Sequence, residues 1–134
     1  MVNFIGPKRV TLPNGMEISC QRREEALLVF GEVGGYVRHG MSLREADVIF
    51  DVGANIGLFS LWAYEECRRN ASIFAFEPLP PIFSLLAHNL GSLGDSRVKP
   101  MCFGLSNRSA RVRFAYHPHA TFASTAFPEP DDLD

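Results

Sequence analysis

A chain of 134 residues with 46% hydrophobic and 21% charged residues has the composition of one globular domain with enough apolar side chains for a core. Its formal net charge of -2, with no run of Lys or Arg and with Arg22–Arg23 and Arg68–Arg69 as isolated pairs, argues against nucleic acid or an anionic membrane surface as a partner. Cys20, Cys67 and Cys102 lie far apart without CxxC spacing, which suggests neither a disulfide framework nor a zinc module; with no signal-peptide core in MVNFIGPKRV and no apolar run of membrane-spanning length, a soluble cytoplasmic protein is expected.

In chain order, Val10 to Leu12 and Met16 to Ser19 flank Pro13-Asn14-Gly15. Asn-Gly between two short strand-like runs predicts a β-hairpin, since both residues tolerate positive φ. From Arg22 to about His39 apolar residues, Leu27, Leu28 and Phe30 among them, recur at helical spacing, with Glu24 and Glu25 at the dipole-favoured start. Gly31, Gly34 and Gly35 argue against one unbroken helix. His39 to Asp47 reads as a polar loop leading to Val48–Val52, an apolar run of strand type. The chain then turns through Gly53 and enters a helical pattern at Gly57, where Ile56, Phe59, Trp62, Ala63 and Cys67 make an apolar stripe. Asn70 and Ala71 turn it into a second, buried-type strand, Ser72 to Phe76, closed by Glu77-Pro78.

Pro80 and Pro81 suit the first turn of another helix, continued by Ile82, Phe83, Leu86, Ala87 and Leu90 and ended by Gly91. Val98 to Phe103 reads as a third strand, Gly104 to Asn107 as a turn, and Ala110 to Tyr116, which alternates, as a further strand. Thr121 to Asp134 carries two prolines, with four acids in the last seven residues, and reads as a loop or tail. No internal repeat is present. The expected organisation is a single domain with a hairpin and helical lead-in over 1–47, a βαβαβ core over 48–116 and a loop or tail over 117–134.

Strand, helix and strand form a βαβ unit, whose parallel strands bring Asp51 and Glu77 to the same edge of the sheet, where open α/β sheets bind ligands. The loop between them, Gly53-Ala54-Asn55-Ile56-Gly57, lacks the middle glycine of GxGxxG that lets a pyrophosphate lie against a helix N-terminus. Its two glycines still allow close backbone approach, and the helix behind it offers unpaired N–H groups. An acid two residues before the first glycine and another closing the next strand suit a ligand with a ribose, an adenine and no pyrophosphate. Glu77 can accept hydrogen bonds from both ribose hydroxyls, the loop backbone can bind an amino-acid group, and a sulfonium is tolerated near Asp51. S-adenosylmethionine has that chemistry.

DVGANIGLFSLWA, then AFEPLPPIFSLLAHNL, then VKPMCFGLSN resemble, in order and spacing, the FkbM family of class I S-adenosylmethionine-dependent methyltransferases, whose members commonly methylate hydroxyl oxygens. The resemblance covers about Leu12 to Tyr116. The LPNG hairpin and the IFDVGANIGLFS wording resemble versions embedded in, or acting on, polyketide and nonribosomal peptide assembly lines. The resemblance implies a Rossmann-like α/β methyltransferase sandwich in which Asp51, Gly53, Ala54, Asn55 and Gly57 form the cofactor loop. By it Glu77 holds the ribose, Pro78 and Leu79 line the adenine side, and the turn of Gly104, Leu105 and Ser106 approaches the adenine. It also implies an acceptor that is a small molecule or is bound to a carrier protein.

In that family a fourth strand ending in an IDVEGAE-like phrase follows the GLSN segment, and three more strands complete a seven-stranded sheet; this sequence has none of them. The chain is therefore expected to be the N-terminal half of such a fold, with one edge of Val48–Val52 unpaired. It would then be a truncated chain, a split or decayed gene product, or a protein that completes its sheet by self-association or with a partner.

Blander readings stand beside these. Asp51, Gly53 and Gly57 could be a tight, capped strand-to-helix turn, and Glu77 a surface acid before a proline. Trp62 and the phenylalanines at 59, 74, 76 and 83 are read as core rather than as cofactor stackers. His117 and His119 make a bare HxH without a third metal ligand. Methyl transfer asks mainly for in-line alignment of oxygen, methyl and sulfur, so no catalytic residue is assigned, and His39, His88, His117 and His119 remain equivalent as candidate bases. The expected function is O-methylation of a natural-product hydroxyl. The rivals are a non-catalytic methyltransferase-like module and a nucleotide-binding oxidoreductase fragment, the latter disfavoured by the missing middle glycine.

Overall fold

The structure, a computed structural model, describes residues 6–114. Pro13-Asn14-Gly15 turns the chain between β1 (Lys8–Thr11) and β2 (Glu17–Cys20), which pair antiparallel. The turn closes differently from expectation. Gly15 alone takes a left-handed φ, +87°, while Asn14 contributes its side chain, whose Oδ1 accepts the Met16 N–H at 3.1 Å. The Gly15 N–H donates to the Leu12 carbonyl at 2.8 Å, so Pro13 and Asn14 sit at the two central positions of a turn that proline and asparagine both favour.

The glycines after residue 30 interrupt the next helix as expected: α1 (Arg23–Val33) ends at Gly34, and one further turn, α2 (Gly35–Arg38), comes after it. The face α1 buries is carried by Ala26 and Val33, with Val29 and Phe30 packed against the core, whereas Leu27 and Leu28 point to solvent. A parallel sheet in the order β3-β4-β5 comes next, from β3 (Val48–Val52), β4 (Ser72–Phe76) and β5 (Val98–Met101). The crossovers are α3 (Leu58–Glu66) and α4 (Pro80–Gly91). This is an α/β Rossmann-like sheet behind an antiparallel hairpin, and among the described residues it has three strands.

Two boundaries move, each for a local reason. The turn after α3 falls on Arg68 and Arg69, at φ +51° and +60°, rather than on Asn70 and Ala71, and Arg97 secures it by donating to the Arg69 carbonyl and to Asn70 Oδ1. α4 ends on Gly91 as expected, with Gly91 its last helical residue and the left-handed φ falling on Gly94. β5 stops at Met101 because Phe103 leaves the ladder to pack on Phe76, with ring centroids 5.5 Å apart. The strand expected over Ala110–Tyr116 is not formed at 110–114, which has no regular structure; 115 and 116, with the 117–134 tail, His117 and His119, lie outside the described residues.

α3 and α4 cover one face of the sheet, burying Ile49, Ile73, Ala75 and Val98 with Leu61, Leu86 and Leu90. On the opposite face Val48, Phe50 and Val52 are 66%, 62% and 59% exposed, and Phe74 is half-buried. The run Val48–Val52 is thus buried on a single side, because the crossover helices α3 and α4 both lie on that side. Of the expected core aromatics Phe76 is buried, while Phe59, Trp62, Phe74 and Phe83 are half-buried. Among the described residues no helix is long and apolar enough to cross a membrane.

Gly57 is where the strand-to-helix loop meets α4. Its φ is +94°, and a Cβ there would lie 2.9 Å from Leu86 Cδ1 and 3.3 Å from Leu90 Cδ2, both side chains being fully buried. Gly57→Ala should combine left-handed strain with overpacking and cost about 2–3 kcal/mol in urea unfolding. Gly53→Ala, at φ +75° with nothing within 4 Å of its Cβ, should cost only the strain, about 1 kcal/mol.

Candidate functional site

The loop after β3 is tied first to its neighbour strand. The N–H groups of Gly53 and Ala54 both donate to the Phe76 carbonyl, at 3.0 and 2.9 Å, so parallel pairing continues one step past the end of β3. The backbone then turns through Asn55, φ +52°, a conformation asparagine tolerates better than most residues. At Gly53 a Cβ would meet open space, so the backbone there is bare towards the cavity.

Two carboxylates converge on this loop. Asp51, 7% exposed, accepts the Ser60 hydroxyl at 2.6 Å from the first turn of α3. Glu77, 6% exposed, accepts the Asn55 N–H on Oε2 at 3.1 Å and the Leu79 N–H on Oε1 at 2.9 Å, bracing the loop against the start of α4. Burial pushes both acids above the ordinary carboxylate range. At Asp51 the hydrogen bonds from Ser60 only partly offset it; at Glu77 the two backbone N–H groups oppose it, and the Asp51 charge adds to it. The bland reading of Asp51 as a helix cap is thereby half realised: it holds the first turn of α3 and still lines the cavity.

A cavity of about 520 Å³ opens over this edge, within the size range of small-molecule sites. Its floor includes Asp51, Gly53, Ala54, Asn55, Glu77, Pro78 and Leu79. Seven of the sequence-predicted residues therefore meet in one place. Gly57 does not line it, being turned to Leu86 and Leu90, and neither do Gly104, Leu105 and Ser106, which are exposed. Gly104 stands behind the site, its would-be Cβ 3.6 Å from the Pro78 ring. His39 and His88 are exposed and line no part of the cavity.

Sequence reasoning missed the cavity's other wall. Ala26, Val29 and Val33 of α1 form it, with Tyr36 of α2, Met41 beyond it and Phe59 of α3. Tyr36 and Phe59 meet edge to face at 5.5 Å, joining that wall to α3. The signal was present in Ala26, Val29 and Val33, which share one helical face by their spacing.

A parallel sheet carrying a glycine-bearing loop after one strand and an acid at the end of the next has the Rossmann-like form. The chain is similar to the 31-O-demethyl-FK506 methyltransferase FkbM of Streptomyces tacrolimicus, 36% identical over 121 residues that cover 88% of this chain and 46% of that enzyme. It is also similar to the AMB antimetabolite synthetase AmbE of Pseudomonas aeruginosa, 38% identical over 87% of this chain and 6% of the synthetase. The methyltransferase sdnD of Sordaria araneosa is 42% identical over 60% of this chain and 31% of its own length. No family model matches the chain. The matches span less than half the length of each of these relatives. In sequence and in fold the chain corresponds to the N-terminal part of an FkbM-like methyltransferase.

The raised acids make a testable statement about pH. With Asp51 above its ordinary value, the folded state holds more protons than the unfolded one between about pH 4 and the folded pKa, so this group's contribution to stability is present below that window and is lost as pH rises through it. Asp51→Asn keeps an oxygen for the Ser60 hydroxyl and removes the buried charge. Urea titrations should show it more stable than the wild type at pH 7, with the difference vanishing near pH 3.5.

Proposed function

We propose that the chain carries the cofactor half-site of an S-adenosylmethionine-dependent methyltransferase acting on a hydroxyl of a natural-product intermediate, free or bound to a carrier protein. The observation that carries this reading is the convergence of Asp51, the bare backbone of Gly53 to Asn55 and the Glu77-Pro78-Leu79 corner on one cavity. The donor set fits that cofactor. Each Glu77 oxygen keeps a lone pair beyond its bond to Asn55 or Leu79, enough to accept two ribose hydroxyls. Asp51, whose ionised form burial disfavours, gains from a cationic neighbour. Pro78 and Leu79 offer apolar contact for an adenine, with Gly104 supporting Pro78 from behind.

When bound, S-adenosylmethionine supplies a methyl group on a sulfonium that already leaves readily as a neutral thioether. The protein's part is then to orient: the loop and Glu77 fix the nucleoside, and the wall made by Val29 and Val33 of α1 with Tyr36 of α2 bounds the space left for an acceptor. The name of the FK506 enzyme supports an oxygen acceptor, and the match to 6% of an antimetabolite synthetase supports a setting within a larger biosynthetic protein.

A second reading, a non-catalytic methyltransferase-like module that associates with itself or with a partner, is favoured by the exposed Val48, Phe50 and Val52 on β3.

Calorimetric titration of S-adenosylhomocysteine, with NAD as competitor, tests the cofactor site. Micromolar binding is expected, weakened at least tenfold in Glu77→Ala, which loses hydrogen bonds to a charged group worth about 1.5–3 kcal/mol each. NAD should not compete. A folded chain that binds no S-adenosylhomocysteine would overturn the reading, and binding without methyl transfer to any hydroxyl acceptor would favour the second one.

A further inference from the structure

Asn89 is a polar residue on the apolar face of α4, 2% exposed. Its side-chain amide makes three hydrogen bonds to backbone. Oδ1 accepts the Ser19 N–H at 2.8 Å, and Nδ2 donates to the Ser19 carbonyl and the Ile56 carbonyl, both at 2.9 Å. The pattern leaves one orientation for the amide, since its oxygen faces an N–H and its nitrogen faces two carbonyls. Towards β2 it acts as a neighbouring strand would, engaging the N–H and carbonyl of one residue together.

The third bond reaches the loop that makes the candidate site. Ile56 comes directly after Asn55, whose Oδ1 accepts the Ile56 N–H at 2.8 Å and whose own N–H goes to Glu77 Oε2. Glu77 Oε1 takes the N–H of Leu79, the residue that caps α4. Leu79, Glu77, Asn55, Ile56 and Asn89 thus form a closed circuit that starts at the cap of α4 and returns to α4 more than two turns on. Gly57 lies inside it, seated on Leu86 and Leu90.

We propose that Asn89 is a positioning residue for the nucleoside edge of the site, acting through the Ile56 carbonyl to hold Asn55 and Glu77 in place and coupling the N-terminal hairpin to that edge. The inference rests on the proposed cofactor site for its consequence in binding, though not for the geometry it asserts. A carbonyl buried beside α4 needs a donor, and Asn89 supplies it from a rigid helix rather than from a loop. A ligand that leans on Glu77 then meets a carboxylate already fixed.

The test is Asn89→Asp, which keeps shape and the acceptor for Ser19 but turns a carboxyl oxygen towards two carbonyls. The comparison is Ile18→Val, which loosens the same hairpin without touching the amide. In hydrogen exchange, the Asn55 N–H of Asn89→Asp should lose at least tenfold protection, while Ile73 and Ala75 in β4 stay protected. Ile18→Val should leave Asn55 unchanged. Affinity for S-adenosylhomocysteine should fall at least tenfold in Asn89→Asp alone. A folded Asn89→Asp that protects Asn55 as the wild type does would overturn the inference. A wild type that binds no S-adenosylhomocysteine would overturn the cofactor reading, with the exchange result still deciding the role of Asn89. Should Asn89→Asp not fold, native-state exchange on the wild type decides. A shared urea dependence for the Asn55 N–H and the Asn89 side-chain amide supports the circuit, and separate dependences overturn it.

Discussion

One carbonyl oxygen, that of Phe76, accepts the N–H groups of both Gly53 and Ala54, and the candidate site depends on it. Because β3 and β4 run parallel with Val52 opposite Phe76, the two chains reach the sheet edge at the same height. The bond pair carries that register into the loop. Asp51 and Glu77 then stand on adjacent strands at one edge, and the Asn55 N–H is within reach of Glu77. A one-residue slip of either strand would turn Asp51 out of the core face and break this meeting, since side chains alternate with period two.

Holding two acids under cover works against the fold. Burial raises both, and the hydrogen bonds from Ser60 to Asp51 and from Asn55 and Leu79 to Glu77 offset part of that desolvation. The arrangement has a use under the proposed function. A lining that sets Glu25, Asp51 and Glu77 against Arg22 suits a cationic ligand, and the N–H donors of Asn55 and Leu79 hold the Glu77 carboxylate in one orientation. The same bonds tie α3 and α4 to the loop, so the groups that would bind are also groups that hold the crossovers together.

Much of this was legible in the chain. β3 and β4 have the bounds read from their apolar runs, because Asp47 and Gly53 punctuate one and Asn70 and Glu77-Pro78 the other. Asp51 and Glu77 stood out for the same reason, as acids at the ends of apolar runs, and the structure places both against the cavity. Helix ends were read in part. α4 does end on Gly91, but Gly91 is its last helical residue, and the left-handed φ waits for Gly94. The Phe103 boundary was hidden because leaving β5 to meet Phe76 is a contact between elements, invisible in alternation.

The sequence by itself determined the hairpin, the βαβαβ order from β3 to β5, and the two acids and glycine-bearing loop at the ends of neighbouring strands, because apolar period and punctuation act over a few residues. Only the tertiary structure decided that Gly57 serves α4 rather than the cavity, that α1 supplies the opposite wall, and that β3 buries one face alone. It also decided that Asn89 meets Ile56 and Ser19, which stand 33 and 70 positions away. The physical reason is common to all four. Periodicity records that a face is apolar but not what covers it, and a single amide on such a face gains its meaning only from the backbone groups that packing brings to it.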